Sequence, residues 1–384
     1  MIPNRAGFFM QQPAGYKSFV PSPLPPDPPI QIDAEMFQLL SDADRKLGRL
    51  DGITEILPNP QLFVNMYVLK EAVLSSQIEG TQASLSDVLG KVEDDNDIDI
   101  GEVSNYAEAM YYGLERLESF PMSLRLIREI HARLLKTGRG SDRSPGAFRS
   151  TQNWIGSPGC TLSNATFIPP APADMEKSLS DLELYFHDDT ALPVLIKVAL
   201  IHAQFETIHP FLDGNGRVGR LLITFWLCQQ RVLNQPLLYL SYYFKENRLE
   251  YYNRLMAVRY EGDWEGWIKF FLKGIAEVSD EATSTAKEII DLKKQCEDAL
   301  NQRNASANMQ KMVDYIFESP IFSIRDVEEK LGVSYPTASS LVTAFIECGY
   351  VEDITPDRQR KKKYRFKAYV ELLNRGTELS GNIN

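Results

Sequence analysis

The chain has 384 residues, enough for two or three domains, and its 43% apolar and 10% aromatic content is ample for buried cores. A net charge of -11 favours solubility and argues against affinity of the whole molecule for nucleic acid or membranes, so any basic surface must be local. The cysteines, Cys160, Cys228, Cys296 and Cys348, have no C-x-x-C spacing, which argues against a disulfide framework or a zinc site; with no signal-like apolar run at the start, a cytoplasmic protein is expected.

Residues 1–30 read as a proline-rich arm, because VPSPLPPDPPI over 20–30 favours extended polyproline structure over a core element. Helical periodicity begins near Asp33 with MFQLLSDADRKLGRLDGI. After the stop at Pro58 and Pro60 it resumes in QLFVNMYVLKEAVLSSQIEG, with Leu62, Met66, Leu69 and Val73 on one face and Gly80 as a C-terminal cap. Further helices are expected over 103–118, 122–137, 175–187, 192–208, 216–231, 245–260 and 264–278, so the fold class is mainly α. One stretch interrupts them: RSTQNWIGSPGCTLSNATFIPPAP, Arg149 to Pro172, has the turn residues and short β-prone runs of a hairpin flap. A charged helix over 281–300 and the polar NQRNASAN lead to a last unit from Met309, in which three helices and the strand-like runs YVEDI and KKYRFK give the order of a winged helix-turn-helix. The expected organisation is arm 1–30, N-terminal helical region 31–118, core 119–280, helix and linker 281–304, winged-helix unit 305–372 and tail 373–384.

The chemistry concentrates in FETIHPFLDGNGRVGR, Phe205 to Arg220, between two apolar helices. Gly214 and Gly216 permit close backbone approach, and a helix starting just after them aims free N–H groups outward, which makes an anion nest. Arg217 and Arg220, three residues apart at that helix start, are placed to fork onto phosphate oxygens. Asp213 beside the nest would repel a phosphate chain unless a hard divalent cation, Mg²⁺, intervened. His209 titrates near neutrality and can take a proton from an incoming hydroxyl. A plain turn with solvated charges would need no such concentration of phosphate chemistry.

HPFLDGNGRVGR resembles the full signature of the Fic family, H-x-F-x-(D/E)-G-N-G-R-x-x-R, at every defined position. The TQNWIG flap and the segment YLSYYFKENRLEYYNRL are similar to Fic proteins too, so the likeness runs from about Gln31 through the helical core. The resemblance implies protein adenylylation: AMP passes from ATP to a Ser, Thr or Tyr hydroxyl of a target protein or of the enzyme itself, and pyrophosphate leaves. It further implies His209 as the base, Phe211 packed inward to fix the loop, and Asp213 as the Mg²⁺ ligand. Gly214, Asn215 and Gly216 would form the anion hole, with Arg217 and Arg220 on the polyphosphate. Thr166, Phe167 and Ile168, followed by Pro169 and Pro170, resemble the hairpin that aligns the target by strand pairing. Tyr251 and Tyr252 match a tyrosine pair near the adenine in relatives; core packing is the competing reading, and an Asn that some relatives carry is absent near Arg259 and Tyr260.

Upstream, SSQIEG holds Ser75-x-x-x-Glu79-Gly80, which alone reads as a glycine-capped helix end. In Fic proteins an (S/T)-x-x-x-E-(G/N) helix lies beside the site and its Glu pairs with the second arginine of the signature. The resemblance implies that here the pair would be Glu79 with Arg220, an intramolecular inhibitory contact in which Ser75 could steady the helix. Glu79 could alternatively orient a water for AMP removal.

Other constellations carry less. His202, Glu206 and His209 mimic a helical zinc site, but His202 reads better as a hydrogen-bonded helix residue; His131 and His187 have no partner visible in sequence. The run RQRKKKYRFK, 358–367, could touch DNA phosphates, yet the candidate recognition helix SYPTASSLVTAFIECG has no Arg or Lys to read bases, so protein docking is favoured over DNA binding. The leading expectation is an autoinhibited Mg²⁺-dependent protein adenylyltransferase, with a homodimer conceivable and no membrane partner. A DNA-binding regulator with a nucleotide-sensing core is the rival.

Overall fold

The structure, a computed structural model, describes residues 5–53, 57, 60–90, 98–157, 159–189, 191–302 and 306–377. The Pro58 stop, residues 303–305 of the linker and the tail beyond 377 lie outside the described residues. In chain order the elements begin with β1 (Gly7–Gln11), β2 (Lys17–Pro21), α1 (Ala34–Ile53), α2 (Pro60–Ile78), α3 (Leu85–Gly90) and α4 (Ile98–Leu117). Then come α5 (Leu124–Leu134), α6 (Pro172–Phe186), α7 (Val194–Ile208), α8 (Asn215–Gln229), α9 (Ser241–Glu246), α10 (Arg248–Glu261) and α11 (Trp264–Gln302).

Helices α2 and α7 are buried on nearly every face, as their lack of a polar stripe requires, and they form the centre of the bundle. Around them α4, α8 and α9 pack on α2, while α6, α8, α10 and α11 pack on α7. The mainly helical architecture is the expected one, with three differences. The stretch read as one helix over 245–260 is two, α9 and α10, broken at Asn247. The helices read separately over 264–278 and 281–300 are one 39-residue helix, α11, which carries α1 along it. The arm, third, is more than an arm. β1 and β2 form an antiparallel hairpin with Phe9 opposite Phe19, and Phe19 is fully buried against Phe9 and Phe167. Proline density after residue 20 hid a period-two pattern whose one large inward ring finds a partner on the flap.

Among its described residues the flap is tied by a single antiparallel bridge, Ile155 to Phe167. Its outer strand is already paired: Phe19 N–H donates to the Ile168 carbonyl at 2.9 Å.

The C-terminal unit comprises α12 (Ala307–Glu318), β3 (Ile321–Phe322), α13 (Ile324–Leu331), α14 (Tyr335–Glu347), β4 (Val351–Asp353), β5 (Tyr364–Phe366) and α15 (Lys367–Asn374), with sheet order β3-β5-β4. The expected order of three helices and a hairpin gains an edge strand, β3, and a closing helix, α15. That helix docks on the N-terminal half. Asn374 Nδ2 donates to Ser86 Oγ, Arg375 forks onto Glu288, and Gln77 Nε2 donates to the Thr377 carbonyl at 3.1 Å. The described start of the expected tail is therefore a seam. Among the described residues no helix is long and apolar enough to cross a membrane.

Candidate active site

Helix α7 ends at His209 because that residue turns left-handed, φ 49°, and Pro210 follows. A non-glycine residue in this conformation is strained and must be held by its surroundings. Two flap residues hold it. Arg149 Nε and Asn153 Nδ2 both donate to the His209 carbonyl, at 3.0 and 3.1 Å, and Arg149 also reaches the Pro170 and Ile208 carbonyls.

The loop beyond is stapled internally. Asn215 donates to the Phe211 carbonyl and accepts from its N–H, both at 2.8 Å, so this buried side-chain amide shapes the loop. Phe211 is fully buried, as expected, and stacks on His131 with centroids 3.7 Å apart. His131 Nδ1 accepts from Gly146 N–H, which leaves Nε2–H to donate to the Asp213 carbonyl at 3.0 Å. Burial, chiefly, lowers the His131 pKa to about 4, so this tautomer is neutral.

Asp213 Oδ1 takes Gly214 N–H and, at 3.4 Å, Arg217 Nη2; Oδ2 has no hydrogen bond among the described residues, and the side chain is a third exposed. No group of three or more metal-ligating side chains exists among the described residues. One open carboxylate beside a phosphate nest suits Mg²⁺, which takes one or two carboxylates and completes its shell with substrate phosphates and water.

Gly214, φ 79°, starts α8. At Gly216 a Cβ would fall inside contact distance of Glu79 Oε1 and 3.0 Å from Arg220 Nη1, so the Glu79 carboxylate lies directly over the start of α8. Arg220 is almost wholly buried. Its Nε donates to Ser75 Oγ at 2.7 Å, and Nη2 donates to the Ser75 carbonyl at 3.0 Å and to Glu79 Oε1 at 2.7 Å. Burial works to raise the Glu79 pKa, but the charge and hydrogen bond of Arg220, with Arg217 and Arg139 behind, hold it below the ordinary value. Arg139 Nη1 also donates to the Glu79 carbonyl at 2.9 Å.

Arg217 differs from its expected partnership with Arg220. It is buried and turns the other way, with Nη1 3.6 Å from Glu102 Oε2, a buried carboxylate that also accepts from Thr81 Oγ1 and Arg139 N–H. The tyrosine pair divides as well. Tyr251 is buried and gives its hydroxyl to His202 Nε2 at 2.9 Å, while His202 Nδ1–H donates to the Gly219 carbonyl, which fits the competing core-packing reading of this residue. Tyr252 is 38% exposed, with the Arg248 guanidinium 5.7 Å from its ring centroid. His202, its pKa lowered to about 3 chiefly by burial, is the hydrogen-bonded helix residue expected.

On the flap, Phe167 is buried under the Arg259 guanidinium at 4.1 Å, and the Thr166 carbonyl accepts from Tyr260. With Ile168 bonded to Phe19, much of the backbone expected to pair with a target is engaged within the chain.

His209 itself is one-fifth exposed. Its Nδ1 faces the Glu206 carbonyl at 3.3 Å and Glu206 Oε2 at 3.9 Å. Burial, then the charges of Arg259 and Arg149, lower its pKa to about 3, so the imidazole is neutral and Nε2 is the basic atom. Burial also pushes the Glu206 pKa up to about 7.

Sequence reading missed Arg149, Asn153, Arg139, Glu102 and Arg259, and gave His131 and Glu206 no role. Arg149 and Asn153 do stand in RSTQNW, within the flap stretch, and a charged residue among β-prone runs was the available signal.

Residues 37–115 match the Fic/DOC family N-terminal model and residues 121–227 the Fic/DOC family model. The chain is 30% identical over 203 residues to the protein adenylyltransferase Fic of Nematostella vectensis, covering 50% of this chain and 44% of that one. To the protein of the same name from Drosophila mojavensis it is 26% identical over 254 residues, 62% of this chain and 47% of the relative. It thus spans less than half the length of these relatives. The crystal structure of a Fic family protein from Desulfovibrio desulfuricans G20 superposes with a TM-score of 0.58 at 21% identity over 88% of this chain and 98% of the other, which shows a common fold.

Proposed function

The chain belongs to the Fic/DOC family, and from that premise we propose that it is an autoinhibited, Mg²⁺-dependent protein adenylyltransferase. The observation that carries the reading is the Glu79–Arg220 contact of 2.7 Å lying over Gly216, which couples a complete phosphate loop to a carboxylate on a separate helix.

In the active state Glu79 withdraws and Arg220 turns to the γ-phosphate, while N–H groups at the start of α8 receive the remaining phosphate oxygens. Asp213 would hold Mg²⁺, which supplies neutralisation of the charge on the α- and β-phosphates. His209 Nε2 takes the proton of the acceptor hydroxyl. The hydroxyl oxygen bonds to the α-phosphorus, the bond from that phosphorus to the bridging oxygen breaks, and pyrophosphate leaves with the electron pair. Such transfer rests on positioning and charge stabilisation, and Arg149, Asn153, Asn215 and His131 supply the positioning.

The test is incubation of the Glu79→Gly protein with ATP labelled at either the α- or the γ-phosphate, followed by mass analysis. AMP transfer leaves only the α-label on protein; a γ-label on protein would overturn the reading in favour of phosphorylation.

For the C-terminal unit, with the element order of a winged helix, we favour protein docking. Lys362 pairs with Asp353, Arg365 with Glu352 and Lys363 with Asp326, so at least three of the seven basic residues of the run are internally neutralised. Salt-dependent binding of the full chain to a defined duplex would favour the DNA reading instead.

A further inference from the structure

Glu206 sits on α7 one turn before His209, 6% exposed, and its Oε1 has no hydrogen-bond partner among the described residues. A buried carboxyl with an unmet oxygen is costly, and simple packing would be served better by an apolar residue. The fold makes room for it. At Gly219 on α8 a Cβ would collide with Oε1. Around the carboxyl stand Arg220 from α8, Arg259 and the Tyr251 hydroxyl from α10, Glu79 from the turn after α2, and His209 from the cap of its own helix. Arg259 Nη2 also donates to the Glu206 carbonyl at 2.9 Å, which fixes the backbone that faces the histidine.

We propose that Glu206 is the positioning residue of His209: its carbonyl, 3.3 Å from Nδ1, keeps the proton on that nitrogen, and its carboxylate, 3.9 Å away, stabilises the imidazolium formed at proton transfer. The inference rests on the adenylyltransferase reading for its catalytic consequence, though not for its geometry. The proton of the acceptor hydroxyl goes to Nε2 and stays there until product leaves; Glu206 takes up no proton in the step and balances the new positive charge. Without such a counter-charge, a histidine flanked by two arginines is a poor base. Glu79 enters a second time. Its negative charge acts with burial, and against Arg220, to raise the Glu206 pKa to about 7, so the closed state both occupies Arg220 and weakens the counter-charge to the base.

The experiment uses the full chain with ¹⁵N-labelled histidine, of which there are four residues. Ring-nitrogen shifts are followed from about pH 5 to pH 9, with His209→Ala to assign the signals. His209 stays neutral in this range, so an inflection near pH 7 in its signals reports Glu206. It should vanish in Glu206→Gln while the Nδ1–H tautomer persists, and move to lower pH in Glu79→Gly. In the Glu79→Gly background, Glu206→Gln should lower kcat roughly 10- to 100-fold, leave the KM for ATP within about twofold, and abolish the rise of rate with pH, which in that background lies below pH 7 with the inflection. Absence of the inflection in the parent protein, or its persistence in Glu206→Gln, overturns the proposal whether or not the variant is fully stable. If Glu79→Gly fails to transfer AMP at all, the adenylyltransferase reading falls while the titration still decides the role of Glu206.

Discussion

Replacing Glu79 by Gly separates two consequences of one contact. The bond from Arg220 Nη2 to Glu79 Oε1, 2.7 Å long, disappears, while Ser75 keeps its two bonds to the same guanidinium. A charge-assisted hydrogen bond contributes about 1.5–3 kcal/mol net. That is the barrier a γ-phosphate must overcome to recruit Arg220, so its removal should raise automodification roughly 10- to 150-fold. The same change leaves a buried cation short of an acceptor, so the melting temperature without nucleotide should fall by a few degrees, about 2–4 °C per kcal/mol at most for a chain this large. MgATP should then stabilise the variant more than the parent, because phosphate replaces the missing carboxylate. Glu79 follows the last turn of α2 and precedes Gly80, so loss of helix propensity adds little. Labelled-ATP incorporation and thermal unfolding with and without MgATP read both effects, with Glu79→Gln expected between the two. Equal rates and equal melting temperatures in parent and variant would show that the contact restrains nothing.

Gly216→Ala should abolish transfer, since the added methyl meets Glu79 Oε1 in the closed state and occupies the nest in the open one; loss of ATP binding by calorimetry is the readout. Asp213→Asn should abolish Mg²⁺-dependent transfer and weaken MgATP far more than free ATP, measured by titration with and without the metal. Glu71, on α2, accepts from Tyr106 and Ser241, yet burial still pushes its pKa up to about 7. Because the folded state binds that proton more tightly than the unfolded chain, stability is fully present below about pH 4.5 and is lost as pH rises through 7, by up to roughly 3 kcal/mol. Glu71→Gln should flatten that part of the melting profile.

What could be read beforehand was what lies close together in the chain. The loop from His209 to Arg220 announces its chemistry because nest, carboxylate and base are adjacent. Glu79 lies 141 residues from Arg220 and was legible only through a motif. Arg149 acts on the His209 carbonyl across 60 residues, and nothing local tells such an arginine from a surface one. Neighbouring Tyr251 and Tyr252 point about 100° apart on α10, so both could not face the same ligand. Glu206 suggested a false zinc spacing because helical periodicity places it beside His209 without saying which atoms meet. The ranges 264–278 and 281–300 read as two helices, whereas α11 runs through both and stays buried at the small residues Ala282 and Ala286.

Helix α11 rises about 58 Å at 1.5 Å per residue. It packs on α7 and α10 near one end and on α12 and α15 towards the other. Cutting the chain near residue 280 to obtain the catalytic half would sever this rod between Ser279 and Ala282, both fully buried, and remove the Ala282 carbonyl that receives the Tyr67 hydroxyl of α2. Dissection of this protein must therefore proceed by substitution at the contacts of its C-terminal unit, because at that point the chain offers no joint.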